Sequence, residues 1–297
     1  KSMLLDDLVY RCYTRDMQRD RGVRCIDCRY RDYCTGNCQD CLKDIHFRNS
    51  ELHREYDCPH MADCYYCKYA YRYASEIVSG LEVFKKVFKN NFDYNGLNVL
   101  SVGCGPCTDL AGIDFLRNTG ELKFNRLNYV GVDPLVNVWG QIWDDIQNCY
   151  DGINILPQDI FQYVIQDNWV PDIIIFQYVL SDMRKNSDKG QILEFINDMA
   201  NFINSHNDKP ICILCNDINL SVGRGGGRDF FEEMVNRINE PRDYWRKHFN
   251  NSNRDGHFEY GIQYDSNSLV FGEIPEVIMS KYNPYTSCAS AQMLIVK

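Results

Sequence analysis

The sequence predicts an α/β protein, a mostly parallel sheet with helices on both faces and a small cysteine-rich module ahead of it. Three observations predict it. Short apolar runs recur through the second half of the chain, several ending in Asp; amphipathic stretches of helical spacing separate them; and eight cysteines crowd into residues 25–67. Apolar strands alternating with helices bury both faces of a sheet, the pattern of parallel rather than sandwich architecture.

The 297 residues, 44% hydrophobic and 13% aromatic, suffice for a substantial core. No run approaches the roughly 18 consecutive apolar residues of a membrane span, and the opening KSMLLDDLVYRCYTRD lacks the apolar run of a secretory signal. A cytoplasmic location without membrane partners is therefore expected. The net charge of −9 disfavours phosphate-backbone binding in general, but residues 1–80 are neutral, with 13 basic and 13 acidic residues. Arg15, Arg19, Arg21, Arg24, Arg29 and Arg31 bunch there with interleaved aspartates, either a phosphate-contacting strip or a solvated face.

The first element, residues 1–72, holds Cys25, Cys28, Cys34, Cys38, Cys41, Cys58, Cys64 and Cys67. Three pairs have Cys-x-x-Cys spacing, which lets two thiolates meet one metal ion from a tight turn. Four thiolates close a tetrahedral zinc site, so two zinc ions are expected. An iron–sulfur cluster uses the same ligands, and a disulfide framework would need an oxidising compartment. His46, His53 or His60 is a substitute ligand. The tyrosines of this region, Tyr56, Tyr65, Tyr69 and Tyr73 among them, are expected to pack it against the next domain or to stack on bases.

The second element, 73–95, carries Ile77, Leu81, Phe84 and Phe88 at helical spacing and predicts a linking helix over 74–92, with a turn at Asn95-Gly96. The third, 96–297, opens with the strand LNVLSVG and the helix DLAGIDFLRN, then the strands NYVGVD, INILPQD, PDIIIFQYVL and KPICILCND. VWGQIWDDI and QILEFINDMANFI are the intervening helices. HFEYGIQYD and AQMLIVK, without a strong helix between them, read as a closing antiparallel edge pair.

The loop Gly103-Cys104-Gly105-Pro106-Cys107-Thr108-Asp109 lets backbone approach a ligand beside a helix N-terminus. A dinucleotide fingerprint would want Gly or Ala where Thr108 stands, which weighs against hydride transfer. The ordered set VLSVGCGPCTD, YVGVD, PQDIF and DIIIFQYVLS resembles class I S-adenosylmethionine-dependent methyltransferases, from about Asn95 onward. The resemblance implies a Rossmann-like, seven-stranded sheet whose last pair is antiparallel. It further implies that Gly103, Cys104 and Gly105 line the methionine and ribose of S-adenosylmethionine. Asp133 would bind the ribose hydroxyls, and Asp159 with Ile160 would meet the adenine. Gln177 and Tyr178 would face the transferred methyl. Cys107 departs from the pattern, since many relatives carry a third glycine there.

No Asn-Pro-Pro-Tyr or Asp-Pro-Pro-Tyr follows the fourth strand, and no cysteine stands at its end, so adenine amino and cytosine carbon-5 methylation lose ground. Asp182, Asn216 and Asp217 are candidate proton acceptors or caps. Arg224 to Arg228, a glycine run between arginines, is either an anion cradle or a mobile surface loop. The leading expectation is a methyltransferase acting on a large substrate, RNA ahead of protein. The alternatives are a protein or small-molecule methyltransferase, or an idle cofactor-binding scaffold that recruits a protein partner through the cysteine module.

Overall fold

The computed structural model describes residues 3–19, 36–46, 55–249, 262–264 and 267–297. The helices are α1 (Leu4–Gln18), α2 (Cys38–His46), α3 (Pro59–Lys86), α4 (Thr108–Asn118), α5 (Val136–Cys149), α6 (Val179–Asn186), α7 (Lys189–Asn204), α8 (Arg228–Arg237) and α9 (Glu276–Tyr282). The strands are β1 (Asp93–Val102), β2 (Lys123–Val132), β3 (Ile153–Leu156), β4 (Ile173–Gln177), β5 (Cys212–Asp217), β6 (Asp243–Phe249), β7 (Ile262–Tyr264) and β8 (Ala291–Val296). They form one sheet in the order β3-β2-β1-β4-β5-β8-β6-β7. β1 to β5 run parallel, and β8 runs antiparallel to both neighbours.

This is the Rossmann-like sheet of seven strands with a reversed last member, widened by the short edge strand β7. From β1 the chain winds outward through β2 and β3, then returns to the other side through β4 and β5. The carboxyl ends of β1 and β4 therefore form the topological switch point, where such sheets open a crevice.

β4 shows why the sheet is buried on both faces. Ile173 and Ile175 join one apolar cluster with α1, α3, α4 and α5, whereas Ile174 and Phe176 join another with α6, α7 and α8. A continuous Ile-Ile-Ile-Phe run is what two covered faces require.

Three elements differ from the sequence reading. The linking helix starts at Pro59, whose ring suits a first helical position, and runs 28 residues to Lys86, through the expected boundary at 72/73. Asn95-Gly96 lies inside β1, paired with β2, rather than in a turn. On the edge side the antiparallel partner of β8 is β6, not HFEYGIQYD, of which only 262–264 are described, and α9 lies between β7 and β8. Arg246, Lys247 and His248 mask the alternation of β6, yet Lys247 and His248 are buried.

The N-terminal region shares the main core. α1 buries Leu4, Leu5, Leu8, Val9 and Cys12 along one face. At about 1.5–3 kcal/mol for each large aliphatic side chain, that stripe is a substantial docking energy. Polar ties fix its position: Leu4 N–H donates to Asp114 at 2.8 Å, and Arg15 binds Asp63 of α3 at 2.8 Å and also Asp145 of α5. No helix among the described residues is long and apolar enough to cross a membrane.

Candidate functional site

The crevice is built on a strained loop. Gly103 and Gly105 have φ of +64° and +48°, and Cys107, the cap of α4, has φ of +57°. The third glycine of the resembled pattern falls at this left-handed position, so Cys107 carries a conformation that glycine adopts more readily. A Cβ on Gly103 would stand 2.3 Å from Val179 Cγ2, so α6 begins directly against the loop.

Asp133 clamps this loop. Its two carboxylate oxygens accept Gly105 N–H at 3.0 Å and Leu135 N–H at 2.9 Å. Trp143 Nε1–H donates to Gly105 O at 2.7 Å from the far side. Burial raises the Asp133 pKa, opposed by the two N–H donors.

β4 delivers the next pair. Gln177 accepts from Thr108 Oγ1 at 2.8 Å and donates to Tyr73 O at 2.9 Å, tying α4 to α3. Tyr178 has φ of +58° and caps α6. Its hydroxyl donates to Glu76 Oε2 at 2.7 Å, and Glu76 is fully buried.

These residues meet in a cavity of about 80 Å3. Gly103, Cys104, Gly105, Asp133, Gln177, Tyr178 and Asp182 all line it, so seven of the candidates converge. Ile160 approaches to 3.2 Å of the point where a Gly103 Cβ would lie, while exposed Asp159 caps the turn Ile160–Gln162 by accepting Phe161 N–H at 2.9 Å and does not line the cavity. Asp182 stands exposed at the mouth. Protein crowded around its carboxylate, then the charges of Asp217 and Asp133, push its pKa up to about 7, a shift that solvent on its open side screens in part.

The other wall was not assigned to the site from sequence. Tyr65 and Tyr73 of α3, Tyr56 just before it and Trp139 of α5 form it, with Pro106, Thr108 and Leu135 also in the lining. Tyr65 meets Trp139 edge-on at 5.0 Å between centroids, and Tyr73 lies 4.5 Å from Tyr178. The spacing Tyr65, Tyr69, Tyr73 put these rings on one helical face, but only the fold shows which surface that face meets.

Two candidate features are structural. Asp217 accepts Ser181 N–H at 3.2 Å and Ile218 N–H at 2.7 Å, and is fully buried behind α6; burial pushes its pKa up to about 6. Asn216 accepts from Gln292 Nε2 at 2.6 Å. In the glycine run, a Cβ on Gly227 would stand 2.3 Å from the Leu180 carbonyl carbon and one on Gly226 2.0 Å from Leu220 O, so both glycines serve close packing. Arg228 is buried and binds Asn219.

At the N-terminus, Cys38 and Cys64 lie with Asp16 in one group whose ligand atoms are all within 4.8 Å of one another. Both described Cys-x-x-Cys pairs lie within helices, α2 and α3, rather than in tight turns. Cys67 is turned toward Val9 O at 3.8 Å, and Cys41 and Cys58 are buried outside this group. Cys25, Cys28, Cys34 and His53 lie outside the described residues, as does the side chain of His46. His60 has its pKa lowered by burial and then by Arg19.

No family model and no curated protein matches the chain. Solved structures resemble it at low identity. The plantazolicin methyltransferase BamL is 11% identical with a TM-score of 0.42 over 98% of both chains. The N-methyltransferase NodS of Bradyrhizobium japonicum is 10% identical with a TM-score of 0.38 over 97% of both. A precorrin-6y C5,15-methyltransferase of Geobacter metallireducens is 10% identical with a TM-score of 0.41, covering 75% of this chain and 86% of that one. At such scores none of them bears on what this chain binds, and the crevice chemistry has to be read from its own residues.

Proposed function

We propose that this chain is an S-adenosylmethionine-dependent methyltransferase whose cofactor and acceptor meet in the crevice at the ends of β1 and β4. The observation that carries the reading is the convergence of the Gly103–Gly105 loop, Asp133, Gln177 and Tyr178 on one cavity at the switch point. When bound, the cofactor supplies a methyl group already made electrophilic by its sulfonium. The chain's own task is to align an acceptor, exclude water and take up a proton.

The residues present fit that group. Gly103 and Gly105 line the cavity without a side chain, and Asp133 brings an acid beside them. Ile160 offers apolar surface next to Gly103. The cavity holds only the reacting end, since whole-ligand sites span roughly 300–1,000 Å3. Full binding therefore requires the wall of Tyr56, Tyr65 and Trp139 to shift outward. Gln177, braced between Thr108 and Tyr73, and Tyr178, braced by Glu76, would orient the acceptor. Asp182 at the mouth would take the proton, its raised pKa suiting a proton acceptor near neutral pH.

Calorimetric titration with S-adenosylhomocysteine tests the reading. Micromolar binding with a change in tryptophan fluorescence from Trp139 is the expected result; no binding overturns it. Incubation with radiolabelled cofactor and cell lysate then separates a working enzyme from an idle scaffold.

RNA as substrate draws its support from the arginine bunch, the tyrosines of the cysteine-rich region and the Arg224–Arg228 loop, whose Gly226, Gly227 and Arg228 are taken up in packing. Arg21, Arg24, Arg29 and Arg31 lie outside the described residues, Arg15 is committed to Asp63 and Asp145, and Arg19 donates to Cys38. A protein or small-molecule acceptor accords better with the lining described. Structural zinc on the N-terminal cysteines is supported by the Asp16, Cys38 and Cys64 group, with the cysteines of 20–35 as further donors. Metal analysis of the purified chain tests it: about one to two zinc ions per chain, lost with Cys38→Ser and Cys64→Ser, is expected, and a metal-free folded chain refutes it.

A further inference from the structure

We infer that the acceptor is a cationic amine, its ammonium head held on the aromatic wall of the crevice between Tyr65, Tyr73, Tyr178 and Trp139, with Asp182 facing it. The inference rests on the methyl-transfer reading above and names its substrate class.

Three features carry it. The cavity wall is aromatic from three directions: α3 supplies Tyr65 and Tyr73, α5 supplies Trp139, and the start of α6 supplies Tyr178. Their rings lie 4.5 to 6.2 Å apart, and a cation is attracted to any ring face that the cavity leaves open. Second, the ionisable carboxylates on the lining are Asp133 and Asp182, and no Lys or Arg is among the described lining residues. A phosphate or carboxylate entering would meet like charge without a counter-ion, whereas an ammonium would be attracted.

Third, the cations nearby do not fill the wall. Arg72, the residue before Tyr73, lies over the Tyr285 ring at 3.6 Å instead, and Lys185 stands on the exposed side of α6 beyond Asp182.

The chemistry balances without a further reagent. The ammonium passes a proton to the Asp182 carboxylate, and the freed nitrogen lone pair forms a bond to the methyl carbon. The carbon–sulfur bond of the sulfonium donor breaks with its electron pair left on sulfur as a neutral thioether, and the positive charge ends on the methylated nitrogen.

The test compares choline with its uncharged isostere 3,3-dimethylbutan-1-ol on the full chain, by ligand-observed NMR and calorimetry, beside a separate titration with S-adenosylhomocysteine. Choline binding at least tenfold tighter than the alcohol is expected, and Tyr65→Leu should cut that ratio about tenfold while Tyr65→Phe, which keeps the π face, preserves it. Equal binding of the two by the unmodified chain overturns the inference, and so does an unchanged ratio in a folded Tyr65→Leu. Binding of S-adenosylhomocysteine without cation preference sinks the amine alone, whereas failure to bind it sinks the methyl-transfer reading and this inference together. Tighter binding of a short RNA oligonucleotide than of choline also counts against it.

Discussion

Asp133 is the residue on which the crevice depends, and its two hydrogen bonds give a graded test. One carboxylate oxygen accepts Gly105 N–H at 3.0 Å and the other Leu135 N–H at 2.9 Å, with the side chain buried. Asp133→Asn keeps the shape but turns one acceptor into an NH2 group facing an N–H donor. A hydrogen bond to a charged group contributes about 1.5–3 kcal/mol, and that is the expected cost. Asp133→Ala removes both acceptors and leaves two N–H groups without partners, for about twice as much. At roughly 2–4 °C per kcal/mol in a large domain, the Asn variant should melt about 3–12 °C lower and the Ala variant lower still. Thermal and urea denaturation read the stability, and hydrogen exchange at Gly105 and Leu135 reads the clamp directly. Binding of S-adenosylhomocysteine should fall at least tenfold in either variant. If both variants stay within about 0.5 kcal/mol of the parent, the usual span of surface substitutions, and the Gly105 amide remains protected, Asp133 does not hold the loop and the crevice has been misread.

Three further outcomes follow from the geometry. Gly103→Ala places a methyl group 2.3 Å from Val179 Cγ2 at φ +64° and should cost at least about 2 kcal/mol; adding Val179→Ala should recover the clash but not the backbone strain, read as a coupling energy in denaturant melts. Asp217 is buried with its pKa raised to about 6, so its carboxylate opposes folding once ionised. Between pH 4 and 6 the folded state holds a proton that the unfolded state has released, hence stability falls as pH rises through that window, by about 3 kcal/mol at 1.36 kcal/mol per pH unit. Asp217→Asn should flatten that slope, and identical pH profiles for the two proteins would refute the assignment. Tyr178→Phe takes from buried Glu76 the hydroxyl donor at 2.7 Å and should cost about 1.5–3 kcal/mol, more at pH 8 than at pH 5, because the charged carboxylate suffers most from the loss.

What the sequence determined by itself was everything carried by local periodicity and by backbone chemistry. The unbroken apolar run of β4 required two covered faces, and the glycines of the Gly103–Gly105 loop were legible because positive φ is a property of the residue itself. Asp133 could be set beside the Gly103–Gly105 loop because the carboxyl ends of neighbouring parallel strands lie side by side in an α/β sheet. The tertiary structure decided what depends on partners distant in the chain. Tyr65 and Tyr73 carry the same pattern whether they pack against a core or line a crevice, and only the docking of α3 beside α5 and α6 chose the crevice. β6 was hidden behind Arg246, Lys247 and His248 because its pairing with β8, not its own alternation, makes it a strand. From sequence Asp217 read as a proton acceptor or a cap and the glycines before α8 as an anion cradle or a mobile loop, and the close approach of α6 made them supports. Pairing and packing join residues tens to hundreds of positions apart, and a pattern a few residues long holds no record of them.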